Sequence, residues 1–149
     1  MIARRLILGS ALVAGVLALS ACDTMKKPMM MMKGGDMSAQ LSGSSEVPPT
    51  STSGSGNATL KLDEGTKVLS WTVTYQGLSG PATAGHLHGP ALPGANAGVV
   101  VPFKGSVASP FTGNATLTDA QIADLKAGKW YVNIHTAANP GGEIRGQVR

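Results

Sequence analysis

The side chains with the most chemical reach in this sequence are its three imidazoles, His86, His88 and His135. His86 and His88 are separated only by Leu87. On an extended strand, side chains alternate between faces, so a His-x-His pair presents both rings on one face with Cα atoms about 6.5–7 Å apart. That spacing suits chelation of a single ion. A third imidazole from another strand would complete a three-nitrogen site, and imidazole suits copper, zinc, iron and nickel. His135 is that third candidate. It lies in a run where Trp130, Val132 and Ile134 fall on one face and Tyr131, Asn133 and His135 on the other. Past Asn139-Pro140-Gly141-Gly142, the residues Glu143, Arg145 and Gln147 face one way and Ile144 and Val148 the other. A strand pair that only filled a core would not need such a polar set. Asn133 or Glu143 could orient a ligand ring from behind. The alternative is structural: the histidines are hydrogen-bonded residues that fix loops, with Arg145 paired to Glu143 or to the C-terminal strand. The sequence leaves both readings open.

The elements that must position these residues read as short strands. Asn57 to Leu62 and Lys67 to Tyr75 flank Asp63-Glu64-Gly65-Thr66, a four-residue hairpin turn. In the second of these runs Leu69, Trp71, Val73 and Tyr75 alternate with Val68, Ser70, Thr72 and Thr74, the pattern of a strand with one buried face. Ser51 to Gly56 and the Pro/Gly-rich Gly89 to Gly98 read as loops. Ala84 to His88 is a short strand, Val99 to Phe103 an apolar run in which Pro102 suggests a sheet edge, and Gly113 to Leu117 another strand. One helix is signalled near Thr118–Gly128. Thr118 is its N-cap, Gln121 completes a capping box, Leu117 staples to Ile122, Ile122 and Leu125 face the core, and Gly128 ends it. About seven strands with Gly-rich turns over about 110 residues predict a single all-β domain, an antiparallel, Greek-key-like β-sandwich.

Three stretches resemble one known family. Tyr131-Val132-Asn133-Ile134-His135-Thr136, a short spacer, and Asn139-Pro140-Gly141-Gly142-Glu143-Ile144-Arg145-Gly146-Gln147 together resemble the signature that ends the CHRD domain, the module named after chordin. Leu41-Ser42-Gly43-Ser44-Ser45-Glu46-Val47-Pro48-Pro49 resembles its opening motif, and Ala84-Gly85-His86-Leu87-His88-Gly89-Pro90 its central motif. The resemblance runs from Ala39 to Arg149. In chordin such domains belong to an extracellular antagonist of growth factors, so the resemblance also implies an interaction module. His-x-His on a β-sandwich is similar as well to copper/zinc superoxide dismutase, but the disulfide cysteines and the fuller histidine set of that enzyme are missing.

The chain opens as an export signal. Arg4 and Arg5 precede an apolar run from Leu6 to Leu19, too short to span a bilayer comfortably. It ends in Leu19-Ser20-Ala21-Cys22, which resembles the lipobox of bacterial lipoproteins, and Cys22 is the sole cysteine. The expected layout is a lipoprotein signal peptide over 1–21, a tether over 22–38 and the CHRD domain over 39–149. In that layout Cys22 is acylated and anchors the chain to a membrane of the bacterial cell envelope, with the domain in the periplasm or at the cell surface. Asp23 resembles the signal for retention in the inner membrane of enteric bacteria, though the choice of membrane stays open. The tether holds six of the seven methionines, Met25, Met29, Met30, Met31, Met32 and Met37, together with Lys26, Lys27 and Lys33. It reads as flexible linker or as a loose soft-metal site, thioethers being soft ligands.

Composition excludes several classes. Loss of Arg4 and Arg5 with the leader takes the formal net charge from +4 to about +2. No Lys/Arg cluster with interleaved aromatics is present, so nucleic acid is not an expected partner. No Gly-x-Ser-x-Gly elbow and no phosphate-cradling glycine loop occurs. No catalytic residue is assigned, and an enzyme is the less favoured outcome. The leading expectation is an envelope lipoprotein that binds copper or zinc, copper favoured, through His86, His88 and His135. The second is a metal-free interaction or structural module with an unnamed protein partner. The third is a dismutase-like metalloenzyme.

Overall fold

The computed structural model describes residues 36–149. Cys22, the leader and the Met-rich segment as far as residue 35 lie outside the described residues. The described chain runs β1 (Asp36–Ser42), a single 3₁₀ turn (Gly43–Ser45), β2 (Ser55–Asp63), β3 (Val68–Gln76), β4 (Ala82–His88), β5 (Val99–Pro102), β6 (Phe111–Thr116), α1 (Asp119–Lys126), β7 (Tyr131–Thr136) and β8 (Ile144–Gln147). All pairings are antiparallel, in the order β5-β4-β7-β8-β1-β2-β3-β6. The architecture of the described residues is therefore all-β with one short helix, as the alternation predicts.

The described residues form eight strands, which make one nearly closed sheet. The additional strand is β1, whose Met37, Ala39 and Leu41 face the core. Asp36, Met37 and Ser38, which composition assigns to the tether, are thus strand, paired with Lys61, Leu60 and Thr59. Ser and Gly around a sparse apolar alternation hid this strand. The sheet curls until its two ends meet. Phe103, just past β5, has its ring centroid 4.9 Å from that of Trp71 in β3 and 5.3 Å from that of Phe111 in β6.

Local chemistry accounts for most elements. In β2 and β3 the inward residues Ala58, Leu60, Leu62, Leu69, Trp71 and Val73 are buried, while Thr59, Lys61, Ser70 and Thr72 are exposed. The hairpin turn between these strands is shifted one residue from the expected position. Asp63 pairs with Val68, and its Oδ1 accepts hydrogen bonds from the N–H groups of Gly65 and Thr66 at 2.9 and 3.0 Å. β5 is an edge, consistent with Pro102. At α1 both arms of the capping box form: Gln121 N–H donates to Thr118 Oγ1, and Thr118 N–H to Gln121 Oε1. Leu125 is buried and Ile122 packs against the core. Gly128 follows with φ 68°, the left-handed conformation that closes a helix.

β7 departs from simple alternation, because every one of its residues is buried. Trp130, Val132 and Ile134 lie in the core. The opposite face is covered by the segment Gly89–Gly98, which crosses it as a strap. Gln147 Nε2 donates to Ala91 O, Arg145 Nη2 to Ala95 O and Arg145 Nη1 to Asn96 Oδ1, at 2.9, 2.6 and 3.0 Å. The loop expected over Gly89 to Gly98 is thus structural cover.

One position on the β1–β8 seam has no room for a side chain. A Cβ at Gly146 would stand 2.7 Å from the Gln40 carbonyl carbon and 3.2 Å from Leu41 N, both backbone atoms that cannot rotate away. Gly141 has nothing within 4 Å of that position. Gly146→Ala is expected to destabilise the domain by about 1–3 kcal/mol, the usual cost of overpacking. Gly141→Ala should stay within about 0.5 kcal/mol of the parent chain. Paired denaturant melts check this, and equal midpoints would refute the close approach.

Candidate metal centre

The site is built by the pairing of β4 with β7. In that register His86 lies opposite Asn133, His88 opposite Tyr131, and Ala84 opposite His135. His135 is therefore the diagonal neighbour of His86 on one face, within reach of long or ring side chains. Leu87, between the two β4 histidines, points the other way and is fully buried. The ring centroids are 5.4 Å apart for His86 and His88, 4.8 Å for His86 and His135, and 6.2 Å for His88 and His135. One nitrogen from each ring can be chosen so that all three lie within 4.8 Å of one another. Bonds of about 2.0–2.1 Å to one ion allow ligand atoms at most about 4 Å apart, so the cluster needs to tighten by under about 1 Å.

Backbone carbonyls set two of the three tautomers. His88 Nδ1 is 3.0 Å from Ala97 O and His135 Nδ1 is 3.0 Å from Pro140 O. A carbonyl only accepts, so each Nδ1 carries the proton and donates, which leaves each Nε2 with a bare lone pair. His135 Nε2 meets His86 Nδ1 at 2.9 Å, and the donor there is His86. His88 Nε2 is buried with no hydrogen-bond partner among the described residues. An orphaned buried acceptor is costly unless something electrophilic meets it. A metal ion fits that need, and anchoring of the remote ring nitrogen is the outer arrangement that histidine ligands use. For His86 to join through Nδ1 it would take the other tautomer.

Burial lowers the pKa of all three rings from 6.5. It is the main cause for His86, helped by repulsion from His135 and His88. It is the main cause for His88 too, where the bond to Ala97 works the other way and His135 and Arg145 push further down. At His135 it outweighs the opposing bond to Pro140. The rings are therefore neutral at neutral pH, the protonation state in which imidazole binds metal.

The other expected residues sit nearby in different roles. Neither Asn133 nor Glu143 hydrogen-bonds a histidine. Asn133 Nδ2 donates to Glu46 Oε1 at 2.6 Å, and Gly142 (φ 132°) lets the chain pass beside both side chains. Glu143 is fully buried, and its carboxylate accepts hydrogen bonds from Thr52 Oγ1, Ser79 N, Ser79 Oγ, Thr136 Oγ1 and Asn139 Nδ2. It locks the turn after β7 to the loops before β2 and β4. Arg145 does not pair with Glu143. Its guanidinium carbon stands 3.4 Å from the centroid of the Tyr131 ring, whose centroid is in turn 4.9 Å from that of His88 at an interplanar angle of 2°. The supports actually used were not legible beforehand. The carbonyls of Ala97 and Pro140 have no residue-type signature, and Tyr131 signalled itself only by sharing a face with Asn133 and His135. A groove of about 680 Å³ lies elsewhere. It runs over the β1–β8 seam and is lined by Gln40, Ser44, Glu46, Arg145 and Gln147.

These features define a small antiparallel all-β module with a three-histidine cluster on a covered sheet face. The chain belongs to the CHRD domain family: that family's model, described as CHRD domain, matches residues 37–148, about three quarters of the chain. No curated protein and no solved structure matches the chain.

Burial of Glu143 by itself would raise its pKa, but the hydrogen bonds from Ser79, Thr136 and Thr52 win and hold it at about 2, against 4.5 ordinarily. A carboxylate with a depressed folded pKa contributes stability that is fully present above its unfolded pKa. That contribution is lost as pH falls from about 4.5 through about 2. Glu143→Gln is expected to cost about 1.5–3 kcal/mol at pH 7 and to flatten the acid limb of the stability profile. Urea melts between pH 2 and 7 check both, and an unchanged acid limb would count against the network.

Proposed function

We propose that this CHRD domain binds one transition-metal ion, copper or zinc with copper favoured, through His86, His88 and His135. The observation that carries the reading is the cluster itself. Three neutral imidazoles present ligand atoms within 4.8 Å of one another, one of them buried with nothing to bond. The proposal extends to place. Cys22 is acylated after cleavage of the leader, and the domain is held at a membrane of the bacterial cell envelope, where it captures or passes on metal. Several acyl chains anchor stably, since each buried CH₂ contributes about 0.8 kcal/mol. The Met-rich segment supports the choice of copper because thioethers are soft ligands.

A metal-free interaction module is the second reading. What favours it is that the groove of about 680 Å³ is lined by none of the histidines. The dismutase reading gains nothing beyond the His-x-His motif.

Elemental analysis of the purified chain after copper or zinc exposure and dialysis is expected to find about one ion per chain. A triple His→Ala variant should retain none. Because the ring pKa values are lowered, uptake should persist somewhat below pH 6.5 and fail on further acidification as protons compete for the nitrogens. Equal retention by the parent chain and the triple variant would leave the interaction reading in its place. For the anchor, Cys22→Ser is expected to move the chain from the membrane to the soluble fraction of cells, with loss of the acyl mass from the N-terminal peptide.

A further inference from the structure

We infer that the three-histidine cluster prefers a monovalent ion, Cu(I), and that Arg145 is the residue that sets this preference through its charge. The inference rests on the metal-binding reading above and goes beyond it, by naming the charge state of the ion and the residue responsible.

The donor set carries no charge of its own. The cluster consists of three imidazoles and no carboxylate. The two carboxylates in the neighbourhood are committed to other partners. Those of Glu143 are Thr52, Ser79, Thr136 and Asn139, and that of Glu46 is Asn133. A divalent ion on such a set keeps its full charge unless an outside anion joins it. His135 is only 8% exposed and His88 Nε2 is buried, while His86 and His88 as whole residues are half-buried, so the ion enters a partly desolvated place. The desolvation cost of an ion rises as the square of its charge, which penalises a divalent ion about four times as heavily as a monovalent one.

A fixed positive charge adds to this. Arg145 is 2% exposed and held by Ala95 O and Asn96 Oδ1, with its guanidinium on Tyr131, the ring that stacks on His88. Strand order places Tyr131 in β7 between His88 in β4 and Arg145 in β8. The guanidinium therefore acts across a single aromatic ring. Burial raises the pKa of Glu46 while Asn133 and Arg145 work the other way; its ionised form offsets part of the Arg145 field, and it hydrogen-bonds Asn133 and none of the rings. At about 10 Å and an effective dielectric of about 20, one such charge weakens binding about tenfold per unit charge on the ion. Arg145 thus separates Cu(I) from Cu(II) by about tenfold, in addition to the desolvation difference.

The test compares two charge states of one element, so that differences between metals do not enter. Competition titrations on the full chain measure Cu(I) affinity under anaerobic reducing conditions and Cu(II) affinity in air. The parent chain is expected to bind Cu(I) at least about tenfold more tightly than Cu(II). Arg145→Gln, checked for folding by circular dichroism, should shrink that ratio about tenfold, which lowers the midpoint potential of the bound copper by about 59 mV. Glu46→Gln leaves Arg145 unopposed and should widen the ratio, which keeps the test decisive if the arginine variant does not fold. Equal or tighter binding of Cu(II) by the parent chain overturns the inference while leaving metal binding intact. A ratio unmoved in the folded Arg145→Gln chain, or in Glu46→Gln when that chain does not fold, overturns it equally. Uptake of neither ion removes the metal-binding reading and this inference with it.

Discussion

The register between β4 and β7 is the constraint on which the site depends. Side chains in a sheet repeat every two residues, so a slip of one residue in that pairing would send His86 and His88 into the core and bring Leu87 out. The register is held from the apolar side. Leu87, Val132 and Ile134 are fully buried on the face opposite the histidines, and a slip would expose all of them. At about 1.5–3 kcal/mol per large side chain, that loss far exceeds what any one hydrogen bond among the imidazoles supplies. The core thus fixes the position of the histidines, which do little to hold themselves.

A second layer of control comes from the strap Gly89–Gly98 and the turn after β7. Both bring backbone carbonyls to the rings, Ala97 to His88 and Pro140 to His135, and so fix which nitrogen stays bare. The strap is held in turn by Arg145, Gln147 and the Tyr131 hydroxyl. The turn is held by Glu143 through five donors. The polar residues of the terminal motif therefore act on the histidines through the loops they pin. Glu143 and Asn133 accordingly hydrogen-bond other partners and none of the rings, although both lie close in sequence to His135.

The opening motif gains its meaning in the same way. Glu46 follows the 3₁₀ turn at the end of β1 and reaches Asn133 in β7, 87 residues further along the chain. Thr50 and Thr52 reach the backbone and side chain of Glu143. Motifs at opposite ends of the domain meet because β1 and β8 are neighbours in the sheet. The seam between them is tight enough to require glycine at 146.

Local pattern was enough to determine the all-β class, the β2–β3 hairpin, the capped helix, the edge character of Val99–Pro102 and the same-face placement of His86 and His88. Each of these follows from a period of two, a turn residue or a cap, all readable within about ten neighbouring residues. The same alternation put Tyr131, Asn133 and His135 together on one face. Tertiary structure alone decided that β4 and β7 are neighbours, that His135 falls diagonal to His86, that Arg145 stacks on Tyr131 instead of pairing with Glu143, and that a Pro/Gly-rich loop covers part of the polar face. Those outcomes depend on strand order and on carbonyls supplied by distant loops. Carbonyls are common to every residue type, so no residue's identity announces where its carbonyl will point.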